Sequence, residues 1–167
     1  MIKRGIRLRK TYPMENLEAA RQREDPFNLS RFTTAQNPVY AEVLSELKAG
    51  RKRTHWMWYV FPQIVGLGYS ETSKYYAIQS LEEASAYRDH AVLGTRLREC
   101  AEAVLAVEGK SALGIFGSPD DVKLHSSMTL FAQVDEPGSV FARVLEKYFG
   151  GKHDSETLRR LGQAAQS

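Results

Sequence analysis

From Thr54 to Gly68 the chain reads THWMWYVFPQIVGLG. Both tryptophans of the protein, Trp56 and Trp58, stand here, with His55, Tyr59 and Phe61 beside them, and Gly66 and Gly68 follow a Phe-Pro-Gln turn. A buried aromatic ring removes about 150–250 Å² from water, so the stretch is expected to be the plug of a core, the wall of a pocket, or both. On a helix Trp56 and Trp58 point to different sides. One indole can then fill the core while the other stacks on a planar ligand.

Outward from that stretch the punctuation is helical. Upstream, Asp25-Pro26 and Asn28 offer a cap and a first-turn proline for a short helix carrying Leu29 and Phe32. Asn37-Pro38 repeats the device. Val39, Tyr40, Val43, Leu44 and Leu47 then recur at helical spacing until Gly50 stops the run. Arg51-Lys52-Arg53 follows as three cations that read as a solvated C-terminal cap, favourable to the helix dipole.

Downstream, Ser70 is placed to cap a helix with Tyr75, Tyr76 and Ile78, and Ser80-Leu-Glu-Glu83 is a capping box. Asp89 reads as the start of a longer helix through Leu93, Leu97, Cys100 and Val104, ending at Gly109. Ser111 opens a short turn of helix. Ser118-Pro119-Asp120-Asp121 gives the strongest start signal, with cap, proline and two first-turn acids. Val140 to Phe149 is amphipathic and closed by Gly150-Gly151, and Asp154 caps a last helix from Ser155. No segment sustains a period of two. The fold is therefore predicted to be all-α, a single multihelical domain of about eight to nine short helices over residues 25–167.

Residues 1–24 are assigned to a basic leader, expected to be disordered. Lys3, Arg4, Arg7, Arg9 and Lys10 precede Pro13 with no acid among them, and Met14 could itself be a start. The whole chain carries 23 Lys and Arg against 20 Asp and Glu; without those five cations the balance is 18 against 20. The basic character thus belongs to the leader, and a nucleic-acid partner is expected only there.

The 167 residues and 43% hydrophobic content fit a globular domain. No apolar run approaches the roughly 20 residues that span a bilayer, so no membrane association is expected. One cysteine, Cys100, fits a reducing cytoplasm and reads as core packing. The four histidines are scattered, without metal-ligand spacing. Neither a metal nor a cofactor is expected, and the protein is placed in the cytoplasm.

Chemistry concentrates in two places. On the helix from Pro119, Leu124, Met128 and Phe131 share an inward face, while Lys123, Ser126 and Ser127 share another. If that second face is buried, its hydroxyls and ammonium need partners, and a ligand phosphate or carboxylate would supply them. The alternative is that Lys123 reaches to water while the serines bond back to helix carbonyls. The other place is the opening stretch. There His55 is either a satisfied core histidine or an acid-base group, and Gln63 reads a ligand edge or ties down its loop. Asp121, His125 and Ser126 do not form a triad, because adjacent helical residues cannot aim at one another, and no GxSxG elbow is present.

The runs GRKRTHWMWYVFPQIVGLG (50–68), LGTRLREC (93–100) and FGSPDDVKLHSSMTLF (116–131) closely resemble a small bacterial family of unknown function. Its structural type is a multihelical mycobacterial protein, and some members carry the label calpastatin-like. The resemblance covers roughly residues 27–161 and implies an all-α domain without supplying an activity. The label itself fits poorly, since an inhibitor of that kind would be disordered and proline-rich. A fainter similarity, through Lys123, Met128, Phe131 and the upstream aromatic-histidine segment, runs to the NADAR superfamily, which is associated with ADP-ribose and N-glycosidic chemistry. That superfamily's acidic and Trp-Gly signatures are absent here.

Together these readings give an expected site for a small anionic, nucleotide-like ligand. Trp56, Trp58, Gln63, Lys123, Ser126 and Ser127 are the expected ligand-binding residues. His55, Asp120 and Lys123 are the expected catalytic ones, should the protein hydrolyse a nucleotide-type N-glycosidic bond, with Asp120 or Asp121 as the most available carboxylate. The alternative is a non-enzymatic module that docks a protein or nucleic acid, recognisable by an indole lying flat on a convex surface.

Overall fold

The computed structural model describes residues 14–164, and the leader's cationic stretch, residues 1–13, lies outside them. Among the described residues the protein is all-α, with eleven helices and one isolated parallel bridge, Ile64 to Ile78. The chain divides into two compact units, one ending at Ser30 and the other starting at Arg31.

In the first unit α1 spans Met14–Glu24, within the stretch that the sequence assigned to the leader. Arg21 and Arg23 stand in its last turn, where cations suit the helix dipole. After it, Asp25 accepts from the amides of Leu29 at 2.7 Å and Ser30 at 3.0 Å. The turn at Asp25-Pro26 is therefore capped, but the helix it leads to begins at Ser30, four residues later than the proline suggests.

The second unit holds α2 (Ser30–Gln36), α3 (Tyr40–Lys48), α4 (Met57–Val60), α5 (Glu71–Tyr76) and α6 (Leu81–Asp89). It continues with α7 (Leu93–Ala106), α8 (Ala112–Phe116), α9 (Asp120–Ala132), α10 (Val140–Phe149) and α11 (Ser155–Ala164). Helices α7, α9 and α10 form its centre; α3 flanks α7, α6 touches α7 and α9, and α8 and α11 lie on α9. Leu97, Cys100 and Val104 of α7, Leu124, Met128 and Phe131 of α9, and Phe141 and Val144 of α10 are all buried. Each large apolar side chain so placed contributes about 1.5–3 kcal/mol. A run of ring contacts crosses the core, Phe32 to Tyr87 at 5.0 Å, Tyr87 to Phe131 at 5.3 Å and Phe131 to Phe141 at 5.8 Å.

The predicted caps at Ser70, Ser80, Ser111 and Asp154 each accept the amide three residues on. Two start signals work differently. α7 begins at Leu93 rather than Asp89, because His90 Nδ1 accepts from the amides of Val92 and Leu93, both at 3.1 Å. Ser118 makes no side-chain cap; α9 starts behind Pro119, with Asp120 and Asp121 in its first turn. No described helix is long and apolar enough to cross a membrane.

Candidate functional site

Glu46, on α3, is the anchor from which the aromatic stretch hangs. It is 7% exposed, yet no lysine or arginine pairs with it among the described residues. Its carboxylate instead accepts from the Arg53 amide, from the Thr54 amide at 2.8 Å and hydroxyl at 2.6 Å, and from Trp56 Nε1 at 3.3 Å. Burial works against its charge most strongly. Together, the bonds from the Thr54 hydroxyl, the two amides and the indole outweigh it and hold the carboxyl below its ordinary range. The bend this imposes drives Trp56 inward, where it is 1% exposed and meets Phe61 at 6.2 Å. His55, on the outer side of the same bend, is exposed.

α4 is a single turn, so Trp58 leaves it on the side opposite Met57 and Val60, which are buried. Trp58 is half-buried and looks toward the start of α9. There Lys123 Nζ stands 4.9 Å from the centre of the Trp58 ring, and Lys52 Nζ stands 5.0 Å from that of Trp56. Asp120, at the first position of α9, joins the two ammonium groups: Lys52 Nζ is 2.8 Å from Oδ2 and Lys123 Nζ is 3.6 Å from Oδ1. Lys52 also donates to the Thr54 carbonyl at 2.6 Å. Two cations thus share one carboxylate beside two indoles.

Trp58, Gln63, Ser73, Tyr76 and Lys123 face one another across a cleft between α4, α5 and α9. Its second wall is held by the Ile64–Ile78 bridge, in which Ile78 donates to the Gln63 carbonyl and Val65 to the Ile78 carbonyl, both at 2.9 Å. The cleft has a volume of about 10 Å³, room for about one water molecule. Lys123 closes it by lying over the indole. A roomier groove of about 450 Å³ runs between α3 and α7. Its charged lining is Lys48, Glu99 and Glu102, with Glu102 paired to Arg143 at 2.9 Å.

The structure therefore brings together Trp58, Gln63 and Lys123, with Asp120 bonded to Lys123. It does not bring the other candidates to the cleft. Trp56 is packed in the core beneath Lys52, and His55 is exposed and absent from the cleft wall. The one hydroxyl proton of Ser126 is shared between the Val122 carbonyl and Asp154 Oδ2, both at 3.2 Å, so the residue ties α9 to the start of α11. Ser127 is fully buried, and its hydroxyl has no hydrogen-bond partner. No metal-binding group of His, Cys, Asp and Glu occurs among the described residues.

Glu46, Lys52, Ser73 and Tyr76 were not singled out from the sequence. Lys52 had a visible signal, a cation two residues past a helix stop and four before an indole, but it was read as solvated. Its side chain is 7% exposed. Glu46 gave none, since one acid in an amphipathic helix looks like any other.

Residues 26–161 match the family described as "Protein of unknown function (DUF1810)". The chain is also similar to the crystal structure of a conserved hypothetical protein from Mycobacterium tuberculosis, with 54% sequence identity and a TM-score of 0.81. That match covers 83% of this chain and 99% of the other. No curated protein matches the chain.

Proposed function

Since the chain belongs to the DUF1810 family, whose description assigns no activity, we propose from the site alone that the Trp58–Lys123 cleft binds a small anionic ligand with a flat, nucleotide-like body. The observation that carries the proposal is the position of the Lys123 ammonium, 4.9 Å over the Trp58 ring and sharing Asp120 with Lys52. A cation over a partly exposed ring is held by about 0.5–1 kcal/mol, and the ion pair to Asp120, half-buried but long at 3.6 Å, adds about 1 kcal/mol. Lys123 is therefore exchangeable. A planar group takes the indole face as the ammonium swings aside to meet the ligand's negative charge, and the Gln63 amide offers donors and an acceptor at the edge.

The cleft widens only as Lys123 moves off the indole. Hydrolysis of an N-glycosidic bond would fall to Asp120, the carboxylate bonded to Lys123. Its carboxylate is placed to serve as a base, or as the counter-charge to a developing oxocarbenium ion. His55 has no part in this version. The rival reading, a docking module with an indole on a convex surface, is not favoured: Trp56 is buried and Trp58 is covered by Lys123.

Thermal denaturation with adenosine monophosphate, NAD and ADP-ribose tests the proposal. A ligand at 100 times its Kd adds about 2.7 kcal/mol. The stabilisation should vanish in Trp58→Leu; the absence of a shift with all three in the wild type would sink the reading.

A further inference from the structure

Arg160, on α11, lies against the loop that follows the aromatic stretch. Its Nη1 is 2.7 Å from the point where a Cβ on Gly66 would stand, so the guanidinium fills the space that any other residue would take. Gly66 also has φ +96°, a conformation that glycine adopts without strain. The Arg160 side chain is half-buried, with Nε fully covered and without a hydrogen-bond partner. The acid one turn back, Glu156, is taken by Arg159 at 2.7 Å and 3.2 Å. Among the described residues Arg160 makes no direct ion pair, although its charge also acts on Glu156.

The loop it faces has unused donors. None of the amides from Gly66 to Tyr69 donates to another protein group among the described residues. The loop also leads directly to the cleft, because a Cβ on Gly68 would stand 2.5 Å from Ser73 Cβ and 3.8 Å from Gln63 Nε2. Two residues of chain span at most about 7 Å, so Arg160 and the cleft wall border the two ends of one short loop.

We propose that Arg160 and the amides of Gly66–Tyr69 form the phosphoryl subsite of the site whose flat-group end is Trp58. The inference rests on the cleft reading for the body of the ligand and adds its chemical class, a phosphate monoester on an aromatic body. A guanidinium presents two parallel donors that match two phosphate oxygens, and consecutive free amides supply further ones. Lys123 and Arg160 bring positive charge to the two ends of the site, and a phosphate monoester carries close to two negative charges at neutral pH.

The test is a set of amide and side-chain NMR titrations of the full chain with inorganic phosphate, adenosine and adenosine monophosphate. Phosphate and the monophosphate are expected to move the Gly66, Leu67 and Gly68 amides and the Arg160 Nε–H, and adenosine to move the Trp58 indole alone. Arg160→Gln should lose the phosphate-induced shifts and weaken the monophosphate at least tenfold while leaving adenosine unchanged. Arg160→Lys, which keeps the charge but not the fork, should also weaken it. If the monophosphate binds Arg160→Gln as tightly as wild type, or never moves the loop amides, the subsite is refuted while the cleft reading stands. If phosphate moves the loop and adenosine never moves Trp58, the subsite stands and the cleft reading fails.

Discussion

Replacing Glu46 by glutamine keeps the shape of the side chain and removes its charge, which makes it the most telling single change in the scaffold. One carboxylate oxygen accepts from the Arg53 amide, the Thr54 amide and Trp56 Nε1, and the other from the Thr54 hydroxyl. A glutamine oxygen can keep the first three, and its NH₂ can donate to the hydroxyl, which rotates to accept. What is lost is the charge assistance. Bonds to a charged group contribute about 1.5–3 kcal/mol and neutral ones about 0.5–1.5. Four weakened bonds, less the desolvation that a neutral group no longer suffers, give a destabilisation of about 2–3 kcal/mol. For a domain of this size that lowers Tm by roughly 6–10 °C.

The pH dependence gives a second check. The folded-state carboxyl lies below the 4.5 of an ordinary glutamate, so the unfolded chain takes up its proton first as the pH drops. The stability that Glu46 lends is whole above pH 4.5 and is lost as the pH falls through the lower folded-state value. Denaturant midpoints of the two proteins should therefore differ by a constant amount at pH 6–8 and converge below about pH 4.5. A difference under about 0.5 kcal/mol at neutral pH, or one that persists unchanged into acid, would refute the account of Glu46 as the charged anchor.

Three other changes are expected to act on stability or reactivity. Asp154→Ala removes the acceptor of the Ser126 hydroxyl, the Thr157 amide and the Thr157 hydroxyl, and should cost about 2–4 kcal/mol in equilibrium unfolding. Ser127→Ala deletes a buried hydroxyl that has no partner; it should leave stability unchanged or raise it by up to about 1 kcal/mol, and a loss of 2 kcal/mol would show that the hydroxyl is bonded in solution. Cys100 is 0% exposed and burial pushes its thiol up to about 12, so it should resist a thiol reagent in the native state at pH 8 and react at once in denaturant.

Much of the fold was legible because its signals are local. Ser80 and Ser111 cap the helices they announce, Gly150 closes α10 in the left-handed conformation, and the Leu124, Met128 and Phe131 stripe faces the core. α4 escaped a helix-period reading because one turn carries no period. Of the Ser80 capping box only half forms: Glu83 pairs through Oε2 with Arg31 at 2.9 Å, a partner 52 residues away, and its Oε1 accepts from the Gln79 amide at 3.4 Å instead of from Ser80.

The site was legible only in outline, for the same reason. Trp58, Gln63 and Lys123 were named from their chemistry, but what gathers them is the fold of Glu46 onto a bend seven to ten residues further on. The helical neighbours of Lys123 misled: Ser126 sits one turn away, yet it is claimed by Asp154 across the α9–α11 contact. Rotation about the helix axis, which spacing gives only coarsely, decided which side chains see the cleft.

A crystal structure with adenosine monophosphate bound would test the central claim most directly. The account predicts the base on the face of Trp58, with the Lys123 ammonium moved off the indole toward the ligand's negative charge. A nucleotide bound elsewhere, with Lys123 still over Trp58, would contradict it.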